Sequence, residues 1–264
     1  MEKHTSKFTH SFSGWSVWIE PSPEAPETKS IEHEMESLAL KCGGESSGVH
    51  RFPPHCTLLY NFNPDKLVPL HLYNAKSANE KAATQHEHAH AMMGKIPISK
   101  EDIAKELLHK CKTLHSQKCA SLKSTSTCSH DNNVNLRPTE FHFFPYPKEA
   151  DNGKGFGCVI PLLLVENTAE LSHLQRTVCQ VFPPDERHCK DHIDRQDIAN
   201  EGKFIPHMAL CYAPENHRDF LEKYVNELKD QRKDLLQTIE APFLSVWNTE
   251  GLLSDWKMVE RIKL

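Results

Sequence analysis

Two histidines each stand directly behind a proline and open an apolar run: Phe52-Pro53-Pro54-His55-Cys56-Thr57-Leu58-Leu59-Tyr60 and Phe204-Ile205-Pro206-His207-Met208-Ala209-Leu210-Cys211-Tyr212. Both read aromatic, one or two spacers, Pro, His, any residue, a small residue, Leu, any residue, Tyr. Proline fixes φ and fits the first position of a strand. The residues that follow are apolar and rich in β-formers. Side chains alternate along a strand, so His55, Thr57 and Leu59 are expected on one face, as are His207, Ala209 and Cys211. Imidazole titrates near about 6.5, so two of them in one cleft supply a neutral base and a charged acid near neutrality. The expectation is that the two strands lie side by side and present both rings to one site.

The elements that must carry these strands can be read in order. Residues 1–14 read as a loose arm. Trp15–Glu20 is a strand ended by Pro21-Ser22-Pro23, and residues 24–28 are a loop. From Lys29, helical spacing of Ile31, Met35, Leu38 and Cys42 predicts a helix, stopped by Gly43-Gly44. After the first histidine strand, about 71–135 changes to Ala, Lys, Asn, His and Ser and reads as an insertion, poorly ordered over 71–97. Within it, Ser99 and Asp102 resemble a capping box opening a helix with Ile103, Leu107, Leu108, Cys111 and Leu114 on one face, and Ser116–Asn135 is loop again. Thr139–Tyr146 is a strand, and Phe156–Val165 is apolar throughout, as for a strand buried on both faces. Asn167 with Glu170 predicts a second capping box, followed by a Leu171, Leu174, Val178, Val181 stripe. Residues 185–202 are charged loop, Pro214 fits a helix start, and two strands around Ala241–Trp247 and Trp256–Leu264 close the chain. Mixed helices and strands with antiparallel neighbours make the fold class α+β.

Composition narrows the partners. The chain has 264 residues, 38% hydrophobic and 25% charged, with a net charge of −5. That suits one large domain or two lobes sharing a core. An acidic balance argues against a track for long nucleic acid, whose field would be basic, while leaving room for a single phosphate. No apolar run approaches the roughly 20 residues that span a bilayer, and the first 14 residues lack the apolar centre of a secretory signal. Nine cysteines without CxxC pairs read as reduced thiols of a cytoplasmic protein.

These residues resemble the 2H phosphoesterases, and within them the cyclic phosphodiesterase branch. That group carries two His-x-Thr/Ser motifs on two central strands, matched here by His55-Cys56-Thr57 and His207-Met208-Ala209. The Ser16-Val17-Trp18-Ile19-Glu20-Pro21 strand and the closing hairpin, with Phe243–Thr249 followed by Asp255-Trp256-Lys257, also look like that branch. The resemblance covers most of 15–70 and 136–264. It implies one bilobal, pseudo-symmetric domain over 15–264, with two antiparallel sheets facing a central cleft and helices outside. It also implies His55 and His207 as catalysts and small cyclic phosphates as substrates: nucleoside 2′,3′-cyclic phosphates or ADP-ribose 1″,2″-cyclic phosphate. Ala209 departs from the pattern, standing where the family has a hydroxyl that holds a phosphate oxygen.

The chemistry implied is a water deprotonated by one imidazole and a leaving oxygen protonated by the other, with Thr57 holding a phosphate oxygen. It calls for no metal and no cofactor, and a monomer suffices. Tyr60, Tyr212, Phe143 and Trp247 are candidates to stack the base or ribose. Ala209 keeps an alternative open, a degenerate member that binds nucleotides or RNA ends with little turnover. An RNA-end exonuclease or 2′-5′ diesterase is a third reading. Structural readings stand beside these. A lone strand histidine is usually structural, the Thr57 hydroxyl can bond a neighbouring strand, and Cys56 and Cys211 read as core thiols. His86, His88 and His90, and Cys189 with His188 and His192, have metal-ligand types but read as solvated loop.

Overall fold

Bulky and β-branched residues make Trp15–Glu20 a strand, β1, and all six of its residues are buried. Such a strand needs a neighbour on each edge and packing on each face. In the computed structural model, which describes residues 12–66, 99–123, 133–146, 157–182 and 204–264, those edges are filled by β2 (Cys56–Phe62) and β9 (Phe243–Asn248), both antiparallel. With β10 (Lys257–Lys263) the first sheet runs β10-β9-β1-β2. The second runs β4 (Pro138–Tyr146), β5 (Cys158–Val165), β6 (His207–Ala209), and β7 (Ala213–Pro214) continues along the same edge of β5. A small antiparallel ribbon pairs β3 (Val134–Leu136) with β8 (Ile239–Ala241). Four helices, α1 (Pro26–Lys41), α2 (Lys100–Lys123), α3 (Ala169–Val181) and α4 (Arg218–Gln231), complete a mixed α+β fold.

Local chemistry sets the helix limits. α1 starts at Pro26, three residues before the expected start, because proline's fixed φ suits a first turn. Gly43, at φ 91°, then takes the chain out of the helix through the left-handed region. α2 opens on the expected cap: Ser99 Oγ accepts from the Asp102 N–H at 3.1 Å and donates to Asp102 Oδ2 at 2.8 Å. It runs on to Lys123, through residues expected to be loop, and the helix packs along α3 and β10. Its buried face is Ile103, Ala104, Leu108, Cys111 and His115, and Leu114, expected on that face, is 37% exposed beside it. The α3 cap is Thr168, whose side chain accepts from the Leu171 N–H, and not Asn167, which donates to the Phe204 carbonyl instead. The Leu171, Leu174, Val178, Val181 stripe is buried as expected. Pro214 lies in β7 and a short 3-10 turn separates it from α4.

One core joins the helices to both sheets, with Val17 and Ile19 of β1, Cys56 and Leu58 of β2, Val159 and Leu163 of β5 and Met208 of β6 all in it. The opposite faces of β5 and β6 carry a second cluster: Cys158, Ile160, Leu162 and Ala209, with Tyr60, Tyr212, Phe52 and Trp256 against them. Phe12 joins this cluster and exchanges two backbone hydrogen bonds with Gly251, so the arm is tied down at its last residues. The first eleven residues, the histidines 86, 88 and 90, and Cys189 with its neighbours lie outside the described residues.

Candidate active site

β2 forms one edge of the first sheet and β6 one edge of the second, and these two edges pack against each other. The backbone of His207 bonds the Cys56 thiol, so the residue beside His55 touches the first residue of β6. The two Pro-His contexts therefore meet, though about 150 residues separate them in the chain.

The two histidines are held the same way. His55 Nδ1 lies 2.8 Å from the Pro53 carbonyl, and His207 Nδ1 lies 3.0 Å from the Ile205 carbonyl. A carbonyl only accepts, so each Nδ1 must carry the proton, and each Nε2 is left as the unprotonated, basic nitrogen. The proline-led turn before each strand puts that carbonyl two residues back, under the ring. The sequence repeat is thus also a structural repeat.

Burial governs the charge of the pair. Desolvation pulls His55 down to about 3, with His207 opposing its charge as well, and its bond to Pro53 only partly offsets this. His207 is also pulled below the ordinary histidine range, again by burial. Both rings therefore sit below the ordinary imidazole range assumed from the sequence, which favours the neutral form at pH 7.

Thr57 pairs with Trp18 across the β1–β2 register and is half-buried on the side of β2 that carries His55. Leu59 does not share this face. The β1–β2 register shifts at Val17/Trp18, so Leu58 and Leu59 both turn to the helical core, and Tyr60 packs on the second cluster. Such a bulge inserts one extra residue and reverses the alternation after it. On β6, His207 and Ala209 alternate with core-facing Met208 as expected, but Cys211, beyond the strand's end, turns to the core. Ala209 is buried beside Leu162, its pairing partner, and offers no hydroxyl.

Of the aromatic candidates, Tyr60 and Tyr212 lie together against the second cluster, and burial together with Tyr60 pushes the Tyr212 hydroxyl up. Phe143 packs against the helical core and is removed from the candidates. Trp247 lies behind Trp18, 4.5 Å away and 23° from parallel. Phe52 takes a place the sequence did not indicate, 5.6 Å from His55 and 5.5 Å from Tyr212. So does Trp256, 5.8 Å from Trp18 and 6.2 Å from Tyr212. Trp18 was missed as well: its indole stacks on His55 at 3.5 Å and 9°. The alternation of Ser16, Trp18 and Glu20 could have marked one face of β1, but only the β1–β2 register reveals that this face meets His55.

Beside Trp256 opens a cavity of about 600 Å³, also lined by Glu45, His50, Arg51, Leu253 and Ser254. Among the described residues, no group of three or more His, Cys, Asp or Glu side chains is placed to hold a metal ion. No helix among them is long and apolar enough to cross a membrane. Six cysteines among them are free thiols, and Cys56, Cys158 and Cys211 are buried, consistent with core packing.

No family model and no curated protein matches this chain. Among solved structures, it is similar to a conserved protein of unknown function from Agrobacterium tumefaciens, at 11% identity and a TM-score of 0.43, over 93% of this chain and 83% of that one. Similarity at that level defines neither a shared fold nor a shared activity.

Proposed function

We propose that this chain is a phosphodiesterase that opens small cyclic phosphates by two-histidine acid–base catalysis, without a metal. One observation carries the reading: His55 and His207 have matching Nδ1–carbonyl bonds on two sheet edges that pack together. In this reading each sheet supplies one histidine to a cleft between two lobes, as the 2H resemblance implies.

In the reaction, one Nε2 takes a proton from water as the water oxygen attacks phosphorus. The P–O bond to the ribose oxygen breaks, and the other imidazole gives that oxygen a proton. The donor must be an imidazolium, because its Nδ1 proton is engaged with a carbonyl. The substrate supplies the means: an anionic phosphate beside two buried imidazoles favours the charged form and lifts the pKa of one of them. Thr57 donates to a non-bridging oxygen, and Tyr60, Tyr212, Phe52 and Trp256 make an apolar wall for the ribose and base. The cavity beside Trp256 gives the rest of a nucleotide room.

Ala209 favours a second reading, a binder with little turnover. A missing charge-assisted hydrogen bond costs about 1.5–3 kcal/mol, or roughly 10- to 150-fold. That loss weakens a site without silencing it while both imidazoles remain. Turnover of nucleoside 2′,3′-cyclic phosphates and ADP-ribose 1″,2″-cyclic phosphate in EDTA, beside calorimetric titration with a 2′-nucleotide, separates the two readings. Product from either cyclic phosphate that disappears in His55→Ala and in His207→Ala supports the enzyme. Tight binding without product supports the binder. Wild-type turnover in either folded variant refutes the mechanism.

A further inference from the structure

We infer that Trp18 is the positioning residue for His55, and that Trp247, Glu20 and Arg261 brace it from behind. The inference rests on the proposed role of His55 and adds residues to it that the two-histidine motif does not contain.

The Nδ1 bond to Pro53 fixes one point of the His55 ring but leaves the ring free to rock about that bond. The Trp18 indole, 3.5 Å away and within 9° of parallel, removes that freedom by covering one whole face. Phe52 stands edge-on to the ring at 5.6 Å. With the ring plane set, Nε2 has one direction to point. An indole face also attracts an imidazolium, so it is compatible with His55 gaining a proton during turnover.

Trp18 would slide if nothing held it, and Trp247 stacks against it. Trp247 Nε1–H donates to Glu20 Oε1 at 2.8 Å and to Ser245 Oγ at 3.0 Å, which fixes the second indole in its own plane. Glu20 is 1% exposed, and a lone carboxylate so placed is costly. Arg261 Nη2 compensates it at 2.9 Å, and the Ser245 hydroxyl donates to it too. An apolar residue would fill the position of Glu20 at lower cost if filling were all that was needed. The arrangement is a column, Arg261 to Glu20 to Trp247 to Trp18 to His55, along the cleft-side face of the first sheet. The titratable groups around its far end are His207 on β6, the Cys56 thiol turned to the His207 backbone, and Tyr212 beyond Phe52.

The test uses the full chain with ¹⁵N-labelled histidine. Wild-type His55 is expected to show a single tautomer, protonated at Nδ1. In Trp18→Leu the uncovered ring can swing off the Pro53 carbonyl that fixes its tautomer, so both tautomers are expected, with kcat down about 10²-fold and KM little changed, since misplacement of this kind acts on the chemical step. Trp18→Phe keeps a stacked ring and is expected to restore the single tautomer and most of kcat. Trp247→Phe keeps a ring but loses the Glu20 bond, and is expected to mix the tautomers in a protein that is still folded, with a modestly lower melting temperature. A folded Trp18→Leu with the wild-type spectrum and kcat overturns the inference, as does equal damage in the Leu and Phe variants. Should Trp18→Leu not fold, Trp247→Phe decides: a wild-type imidazole spectrum in that variant overturns the brace. The spectra are read without substrate, so they decide the column even if no cyclic phosphate is turned over, and turnover can stand if the column fails.

Discussion

Lowering the pH should destabilise this protein through His55. The ring is neutral down to about pH 3 in the folded chain because burial disfavours its charge, whereas an unfolded histidine titrates near about 6.5. A group whose folded pKa is depressed leaves stability intact above the unfolded value and withdraws it as pH falls toward the folded one. The unfolded state binds the extra proton in that window, so stability falls by up to about 1.4 kcal/mol per pH unit per histidine. For His55 the shift sums to about 5 kcal/mol by pH 3, and about 2 kcal/mol by pH 5. Against a typical total of about 5–15 kcal/mol, that is a measurable loss in mild acid and comparable to the whole of a marginal fold only near pH 3. His207 and His217, both also lowered by burial, act in the same direction. The assay is urea unfolding followed by tryptophan fluorescence at steps from pH 7 to pH 4.5, in wild type and His55→Asn. Asparagine can still donate to the Pro53 carbonyl and does not titrate. The variant should lose up to one proton's worth of slope below pH 6.5, and a bound 2′-nucleotide should flatten the wild-type slope, since its phosphate favours the imidazolium. Identical slopes in the two proteins would refute the reasoning.

His55→Ala and His207→Ala should each lower turnover of a cyclic phosphate by about 10²–10⁴-fold, measured as nucleotide release with circular dichroism confirming the fold. Because both rings sit below the ordinary histidine range in the free protein, kcat/KM should decline from the acid side of neutrality as pH rises, while kcat, with the phosphate bound, should hold to higher pH. Ala209→Thr should raise kcat/KM by roughly 10-fold or more if a hydroxyl is missed there, and steady-state kinetics reads it directly. Gly14 has φ of +73°, and a Cβ there would meet Asn61 Oδ1 and the Phe62 carbonyl. Gly14→Ala should therefore cost about 1–3 kcal/mol in urea unfolding.

The parts of this chain that could be read in advance are those where local chemistry decides. Proline before His55 and His207 marks two strand starts, the apolar run of β5 marks a strand covered on both sides, and the α3 stripe marks its buried face. What could not be read depends on partners. The bulge at Leu58 is a property of the β1–β2 pairing, and it sends Leu59 to the core and Tyr60 to the second cluster. Phe143 and Phe52 are equally aromatic, and only the tertiary fold decides which one meets His55. α2 continues through polar residues to Lys123, which no propensity records. The stack of Trp18 on His55 joins residues 37 positions apart in the chain, as the sequence numbering gives, through a register that is fixed only when the sheet forms.

Each histidine rides on the outermost strand of its own sheet, β2 on one side and β6 on the other. Two free borders face one another along a seam, and side-chain packing and the Cys56 contact join them there. An anion gripped from both sides would rivet that seam. Amide hydrogen exchange along Cys56–Phe62 and His207–Ala209 should then slow in concert when a phosphate ester enters, while the far borders, Pro138–Tyr146 and Lys257–Lys263, keep their pace.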